Sequence, residues 1–186
     1  MEADLDGKAY NRLIWANAAG EVATYDKQHL VPGWEGRLTP GRNAALMRQS
    51  RVGAVGAAIC KDMDFSALGR RYAGARMMLV PGWDFRGDWG EDGYAHGRLA
   101  VLRGVETGYS VVRSARIGRL VVTDLYGHVA AETPSRPEGA VLVVDAPLSS
   151  GGSTPYGRLG DLFGWACLAA AVVGGLALRR RPDDAD

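Results

Sequence analysis

The sequence predicts a layered α/β domain that ends in one transmembrane helix, and three observations carry that reading. Apolar runs at 52–59 and 77–81 each stop abruptly at a polar loop, as buried strands do when they deliver side chains to the end of a sheet. A helix-type segment at 91–107 is followed by short β-type runs with tight turns, the strand–helix–strand order of a layered fold and then a meander. Finally, residues 162–178 read LFGWACLAAAVVGGLAL, without a charge, and Arg179, Arg180 and Arg181 follow.

Taken in order, residues 12–16 and 21–25 are β-type runs around Asn17 to Gly20 and predict a hairpin. The loop Tyr25-Asp-Lys-Gln-His-Leu-Val-Pro-Gly-Trp-Glu35 presents chosen charged side chains at a strand end. Residues 36–50 are polar and marked by Gly and Pro, and predict a loop. The run VGAVGAAIC then ends at Cys60, with Lys61, Asp62 and Asp64 immediately behind it. Asp64 or Ser66 is the expected cap of a short helix reaching Arg71. The helix at 91–107 closes at Gly108, and Ala95, Leu99, Leu102 and Glu106 share its apolar face. Strands are expected at 109–114, 118–124, 128–132 and 141–145. Residues 149–160 form a linker, 161–181 the membrane helix with its arginines, and 182–186 a tail. The apolar run is about 25 Å long as a helix, against a hydrocarbon core of about 30 Å. It lacks a polar face, and its arginine cluster places the C-terminus in the cytoplasm and the domain outside.

The bulk numbers exclude several partners. With 186 residues and a net charge of +1, the chain has no basic stripe interleaved with aromatics, so no nucleic acid is expected. Cys60 and Cys167 lie in unlike surroundings and do not make a disulfide framework. His29, His96 and Asp84 have no metal-ligand spacing, and the residues call for neither metal nor cofactor. From its own neighbourhood Cys60 reads equally as a nucleophile or as an inert buried thiol.

Three motifs in order carry a resemblance: YDKQHLVPGWE at 25–35, AAICKDMDF at 57–65 and HGRLAVLRGVETGYSVVRSARIG at 96–118. VVTDLYGHVAAETP at 121–134 and TPYGRLGD at 154–161 extend it over nearly the whole chain. The chain resembles the carbon–nitrogen hydrolase (nitrilase) superfamily, and within it the membrane-bound apolipoprotein N-acyltransferases. The resemblance implies a four-layer αββα sandwich, here incomplete at its N-terminus, over residues 1–148. It also implies a Glu-Lys-Cys triad in which Cys60 is the nucleophile, Lys27 the lysine and Glu35 a second important glutamate. The acyl group of a phospholipid would pass through a Cys60 thioester to the N-terminal amine of a lipoprotein at the bacterial inner membrane.

Two motifs depart from that pattern. The acyltransferases' Pro-Phe-Gly-Glu is Pro32-Gly33-Trp34-Glu35, and their Cys-Tyr-Glu is Cys60-Lys61-Asp62. The general-base glutamate belongs several dozen residues before the lysine, and Glu2 and Glu21 stand too close to Lys27. The expectation is therefore the C-terminal part of a larger protein, inactive by itself. A membrane-tethered amidase of a small substrate, or a non-catalytic remnant, are the alternatives.

Other residues have plain readings beside sharp ones. Asp62 orients the loop after the nucleophile or caps the next helix. Glu106 should be buried against Arg103 or Arg113 and brace the site. Trp34 stands beside the pocket, and Trp83, Phe85 and Trp89 could line it, dip into the membrane surface or pack on the sheet. His96 is a further lining candidate, and with His29 a candidate partner in a Cys-His dyad.

Overall fold

The computed structural model describes residues 2–5, 7–18, 20–84, 94–135 and 139–179. Strands β1 (Glu2–Leu5), β2 (Lys8–Asn17) and β3 (Gly20–Asp26) form a three-stranded antiparallel sheet. The hairpin expected around residues 17–20 is its β2–β3 pair. A six-stranded sheet follows in sequential order: β4 (Ala45–Ser50), β5 (Gly53–Ala57), β6 (Met77–Trp83), β7 (Ser110–Arg116), β8 (Arg119–Thr123) and β9 (Val129–Pro134). Its centre, β5–β6–β7, is parallel. Each parallel step needs a crossover, and helices α1 (Ser66–Arg70) and α2 (Tyr94–Thr107) supply them.

Side-chain alternation along β5 separates two cores. Val55, Ala57 and Ile59 face the small sheet and pack with Tyr25 and Leu13. Gly56 and Ala58 face the helices, where Met63, Leu68, Tyr72, Met78, Val80, Ala100 and Val111 form the larger core. A Cβ on Gly56 would sit 2.2 Å from Met78 Sδ and 2.6 Å from the Tyr72 ring, so only glycine fits there. The described residues thus form a helix layer and two sheets.

Three local expectations outside helix α2 are corrected. Residues 45–50 are strand β4, not loop: the run ALMRQS pairs with β5, and Ala45 and Leu46 pack against the cores. Residues 141–145 form no strand: they have no pairing partner among the described residues, and Val141 and Val143 are exposed. Helix α1 begins after Phe65 with no side-chain cap. Asp64 instead pairs with Lys61 at 3.3 Å and His96 at 3.4 Å.

Helix α2 turns a different face inward from the one its leucines suggest. His96, Gly97, Ala100, Val101, Arg103, Gly104 and Thr107 are buried, whereas Ala95 and Leu102 are exposed. Small residues let the helix backbone approach the sheet: a Cβ on Gly104 would meet Tyr109 O and Val111 Cγ2 at 2.8 Å. Close packing outweighs the burial of one more leucine. Residues 91–93 lie outside the described set.

Helices α3 (Pro155–Leu159) and α4 (Leu162–Arg179) end the described chain. Thr154 caps α3 by accepting from Gly157 N at 2.9 Å, and its hydroxyl donates to Glu106 O. Asp161 accepts from Tyr156 Oη at 2.8 Å and from Arg70 at 3.4 Å, tying the start of α4 to α1. Helix α4 is long and apolar enough to cross a membrane, and none of it is buried against the domain.

Candidate active site

Three chain segments meet at one cavity of about 700 Å³. The segment after β3 brings Lys27, Val31, Trp34 and Glu35; the turn after β5 brings Ile59 and Cys60; the end of β6 brings Pro81, Gly82 and Trp83. Strand β2 closes the wall with Asn11, Arg12 and Leu13.

Lys27 is 2% exposed, a burial that a lysine tolerates only with a partner. Its Nζ donates to Glu35 Oε2 at 2.7 Å. The same oxygen accepts from Val31 N at 2.7 Å, while Glu35 Oε1 accepts from Asn11 Nδ2 at 2.7 Å. Burial pushes the Glu35 carboxyl up, but the bonds from Lys27, Val31 and Asn11 outweigh it and hold the group below the usual glutamate range. The backbone is fixed as well: Lys27 N donates to Asn11 O at 2.9 Å, and Gly41 N to Lys27 O at 2.8 Å.

Cys60 opens a 3-10 turn, Cys60–Asp64, and adopts φ 52, a left-handed conformation that non-glycine residues rarely take. Such strain survives where surrounding structure enforces it, and it gathers at functional sites. Cys60→Gly should therefore be more stable than Cys60→Ala by about 1 kcal/mol in urea denaturation, because glycine alone relaxes this φ. Equal stabilities would show that the turn is unstrained. The sulfur donates to Trp83 O at 3.7 Å. Burial pushes the thiol up; the Trp83 backbone and the Lys27 ammonium pull it back in part, and the Asp84 carboxylate pushes it further up.

Asp62 is fully buried and clasps the Lys27 and Cys60 segments together. Oδ2 accepts from Tyr25 Oη at 2.7 Å and Ile59 N at 3.1 Å; Oδ1 accepts from Gln28 N at 3.1 Å and His29 N at 2.8 Å. His29 Nδ1 stands 3.1 Å from Oδ1, and its ring stacks on Phe65 at 3.7 Å. Of the two roles read for Asp62, this is the loop-orienting one; α1 carries no side-chain cap.

The remaining candidates divide. Trp34, 69% exposed, and Trp83 both line the cavity. Phe85 and Trp89 lie outside the described residues. His96 does not line it: it is buried on the helix side, with Nδ1 2.6 Å from Asp84 Oδ1. With His29 held on Asp62, neither histidine forms a dyad with Cys60. Arg103 and Glu106 also lie away from the cavity, paired with each other at 3.1 Å. Glu106 is ten positions beyond His96, about 15 Å along the helix. Its partner is Arg103, because Arg113 is spent on Asp84 at 2.6 Å and 2.7 Å. Sequence reasoning missed Asn11, gave Tyr25 no role, and offered Arg113 as a partner of Glu106 rather than of Asp84. Asn11 sits in a strand without a motif around it; Tyr25 opens the 25–35 motif and Arg113 lies in the 96–118 motif, but nothing local marks their partners, Asp62 and Asp84.

A family model described as carbon-nitrogen hydrolase matches residues 1–156. The chain is 34% identical over 188 residues to a Geobacter metallireducens protein named apolipoprotein N-acyltransferase, covering 90% of this chain and 35% of that protein. A Bradyrhizobium diazoefficiens protein of the same name is 32% identical over 204 residues, covering 94% and 36%. The chain spans about a third of the length of these curated relatives. Among solved structures, an amidase from Nesterenkonia sp. matches with TM-score 0.64 at 23% identity, covering 75% of this chain and 56% of that one. A Saccharomyces cerevisiae member of branch 10 of the nitrilase superfamily matches with TM-score 0.60 at 28% identity, covering 69% and 50%. The mixed α/β sheet fold is the one these neighbours share.

Proposed function

The chain belongs to the carbon–nitrogen hydrolase family, and on that premise we propose that it is the nucleophile-bearing part of a membrane-anchored N-acyltransferase. The single observation behind this reading is the convergence of a strained Cys60 and a buried, glutamate-paired Lys27 on one cavity. Cys60 Sγ attacks the ester carbonyl carbon of a phospholipid acyl chain, and the Lys27 ammonium steadies the oxyanion. The C–O bond breaks, the leaving alkoxide takes a proton, and the acyl group remains as a thioester. The free amine of a lipoprotein's N-terminal residue then attacks the thioester, and the thiolate leaves and is reprotonated.

Cavity chemistry supports a lipid donor. Leu13, Val31, Leu38, Ile59 and Pro81 supply apolar wall, and Arg37 supplies a cationic group that a phosphate headgroup would meet, whereas Arg12 is held by Asp26 at 2.6 Å and 2.7 Å. Glu35 is its acidic lining residue, and both its oxygens are engaged. A base for the thiol proton must therefore come from outside the described lining. Helix α4 anchors the domain at the bacterial inner membrane, with Arg179, Arg180 and Arg181 on the cytoplasmic side.

The test is thioester trapping. A natural polypeptide carrying this sequence, given phospholipid with a clickable acyl chain, should acquire a hydroxylamine-sensitive label at Cys60. A label that persists in Cys60→Ser overturns the nucleophile, and label on water-soluble short amides but never on phospholipid favours the amidase. A reporter fused after Asp186 should read as cytoplasmic; a periplasmic signal overturns the orientation.

A further inference from the structure

Beneath the cavity floor lies a charged cluster for which the acyl-transfer steps have no use. Asp84 follows Trp83 directly and is 1% exposed. Arg113, on β7, grips both its oxygens through Nη2, at 2.6 Å and 2.7 Å, and Arg113 Nη1 donates to Arg119 O at 3.1 Å. His96, on α2, stands between two carboxylates, with Nδ1 2.6 Å from Asp84 and Nε2 3.4 Å from Asp64 of the Cys60 turn. Gly118 leaves the space this carboxylate fills: a Cβ there would fall 2.1 Å from Asp84 Oδ2.

Only Gly82 separates this cluster from the nucleophile. A Cβ on Gly82 would stand 3.5 Å from Arg113 Nη2 and 3.6 Å from both Cα and Cβ of Cys60. The buried carboxylate and guanidinium therefore lie one backbone layer below the thiol, in a dry setting where charges act strongly.

We propose that Asp84, clamped by Arg113 and His96, is a positioning residue for Cys60: it pins the β6 end whose Trp83 backbone meets the sulfur, and with Arg113 it sets the charge beneath it. The carboxylate opposes thiolate formation and the guanidinium compensates, so the nucleophile rests as a thiol until substrate and base arrive. Other charged groups around Cys60 among the described residues are Lys27, Glu35, Arg37 and the Asp26-paired Arg12 of the cavity wall, Lys61 and Asp62 of its own turn, and Asp64 and His96 on the helix side. The inference rests on Cys60 being the nucleophile, but its test reads the thiol and needs no acyl transfer.

The experiment is alkylation of the full chain in detergent by iodoacetamide, in a Cys167→Ala background that leaves Cys60 as the reacting thiol. Rates are followed from about pH 6 to about pH 11. Asp84→Asn should lower the midpoint by at least about half a pH unit, because a repelling charge is removed. Arg113→Gln should raise it, because the carboxylate then acts uncompensated, and the double variant should fall between. Opposite shifts support the proposal. Shifts in the same direction, which loosening of the fold would produce, overturn it, as does an unmoved midpoint in Asp84→Asn. Should Arg113→Gln fail to fold, the high-pH plateau rate of Asp84→Asn decides: a lowered midpoint with an unchanged plateau supports a charge effect, and a raised plateau overturns it. Failure of thioester trapping with these shifts intact would remove the acyltransferase reading and leave the thiol's charge control standing.

Discussion

Replacing Asp62 with alanine should destabilise the domain by on the order of 3–5 kcal/mol, a large share of the roughly 5–15 kcal/mol typical of a domain. The magnitude follows from what the carboxylate holds. Without it, the Tyr25 hydroxyl and the N–H groups of Gln28, His29 and Ile59 lose their acceptor at a buried position. Each unsatisfied buried donor costs about 1–3 kcal/mol, reduced where water enters the space left behind. Gln28 and His29 adjoin Lys27, and Ile59 adjoins Cys60, so the same change unclasps the two segments that build the cavity. Asp62→Asn keeps the shape and one acceptor oxygen and should cost about half as much. Urea denaturation in detergent, read by tryptophan fluorescence, measures both. A loss below about 1 kcal/mol in Asp62→Ala would falsify the clasp, since it would mean the donors find other partners.

Lys27→Met should combine a loss of acyl-enzyme formation of about 10²–10³-fold with a pH-dependent loss of stability. Methionine matches the length of the lysine stem and removes the charge, so the oxyanion loses its cation and Glu35 loses its counter-ion. In the parent, Glu35 is held below its ordinary pKa, so its contribution to stability is fully present above the unfolded value near 4.3 and disappears as pH falls through the folded value. In the variant, burial without a cation pushes the same carboxyl up, and a penalty appears at neutral pH that protonation relieves. The stability gap between parent and variant should thus be widest near pH 7 and close toward about pH 4. A gap independent of pH would mean that Lys27 stabilises through packing alone.

Both predictions concern residues that the motifs already marked, but the depth of the marking differed. Lys27, Glu35 and Cys60 stand in the two motif segments, and the structure brings all three to one cavity. Asp62 was open between two local roles, and its partners at 25, 28, 29 and 59 appear only once β3 and β5 pack together. The face of α2 was misjudged because periodicity weighs apolar content, whereas the sheet selects for close approach through Gly97, Ala100 and Gly104. Strand β4 is hidden in the sequence because only its first half, Ala45-Leu46-Met47, is apolar, and its order comes from the hairpin partner β5. Residues 141–145 show the reverse case, a strand-like pattern without a pairing partner among the described residues.

Local order along the chain carries the buried strands ending at loops, the hairpin, the charge-free C-terminal helix, and the family with the motif that holds Cys60. Those features depend on neighbours within a few residues, where periodicity and motif spacing carry the information. Only the tertiary structure decided which polar groups pair. Lys27 with Glu35 and Asn11, Asp62 with Tyr25, and Asp84 with Arg113 and His96 join residues up to 37 positions apart. A buried charge must find its partner wherever the fold provides one, and that place is set by the layering of helices on sheet. The electrostatic surroundings of Cys60 belong to this second kind of information.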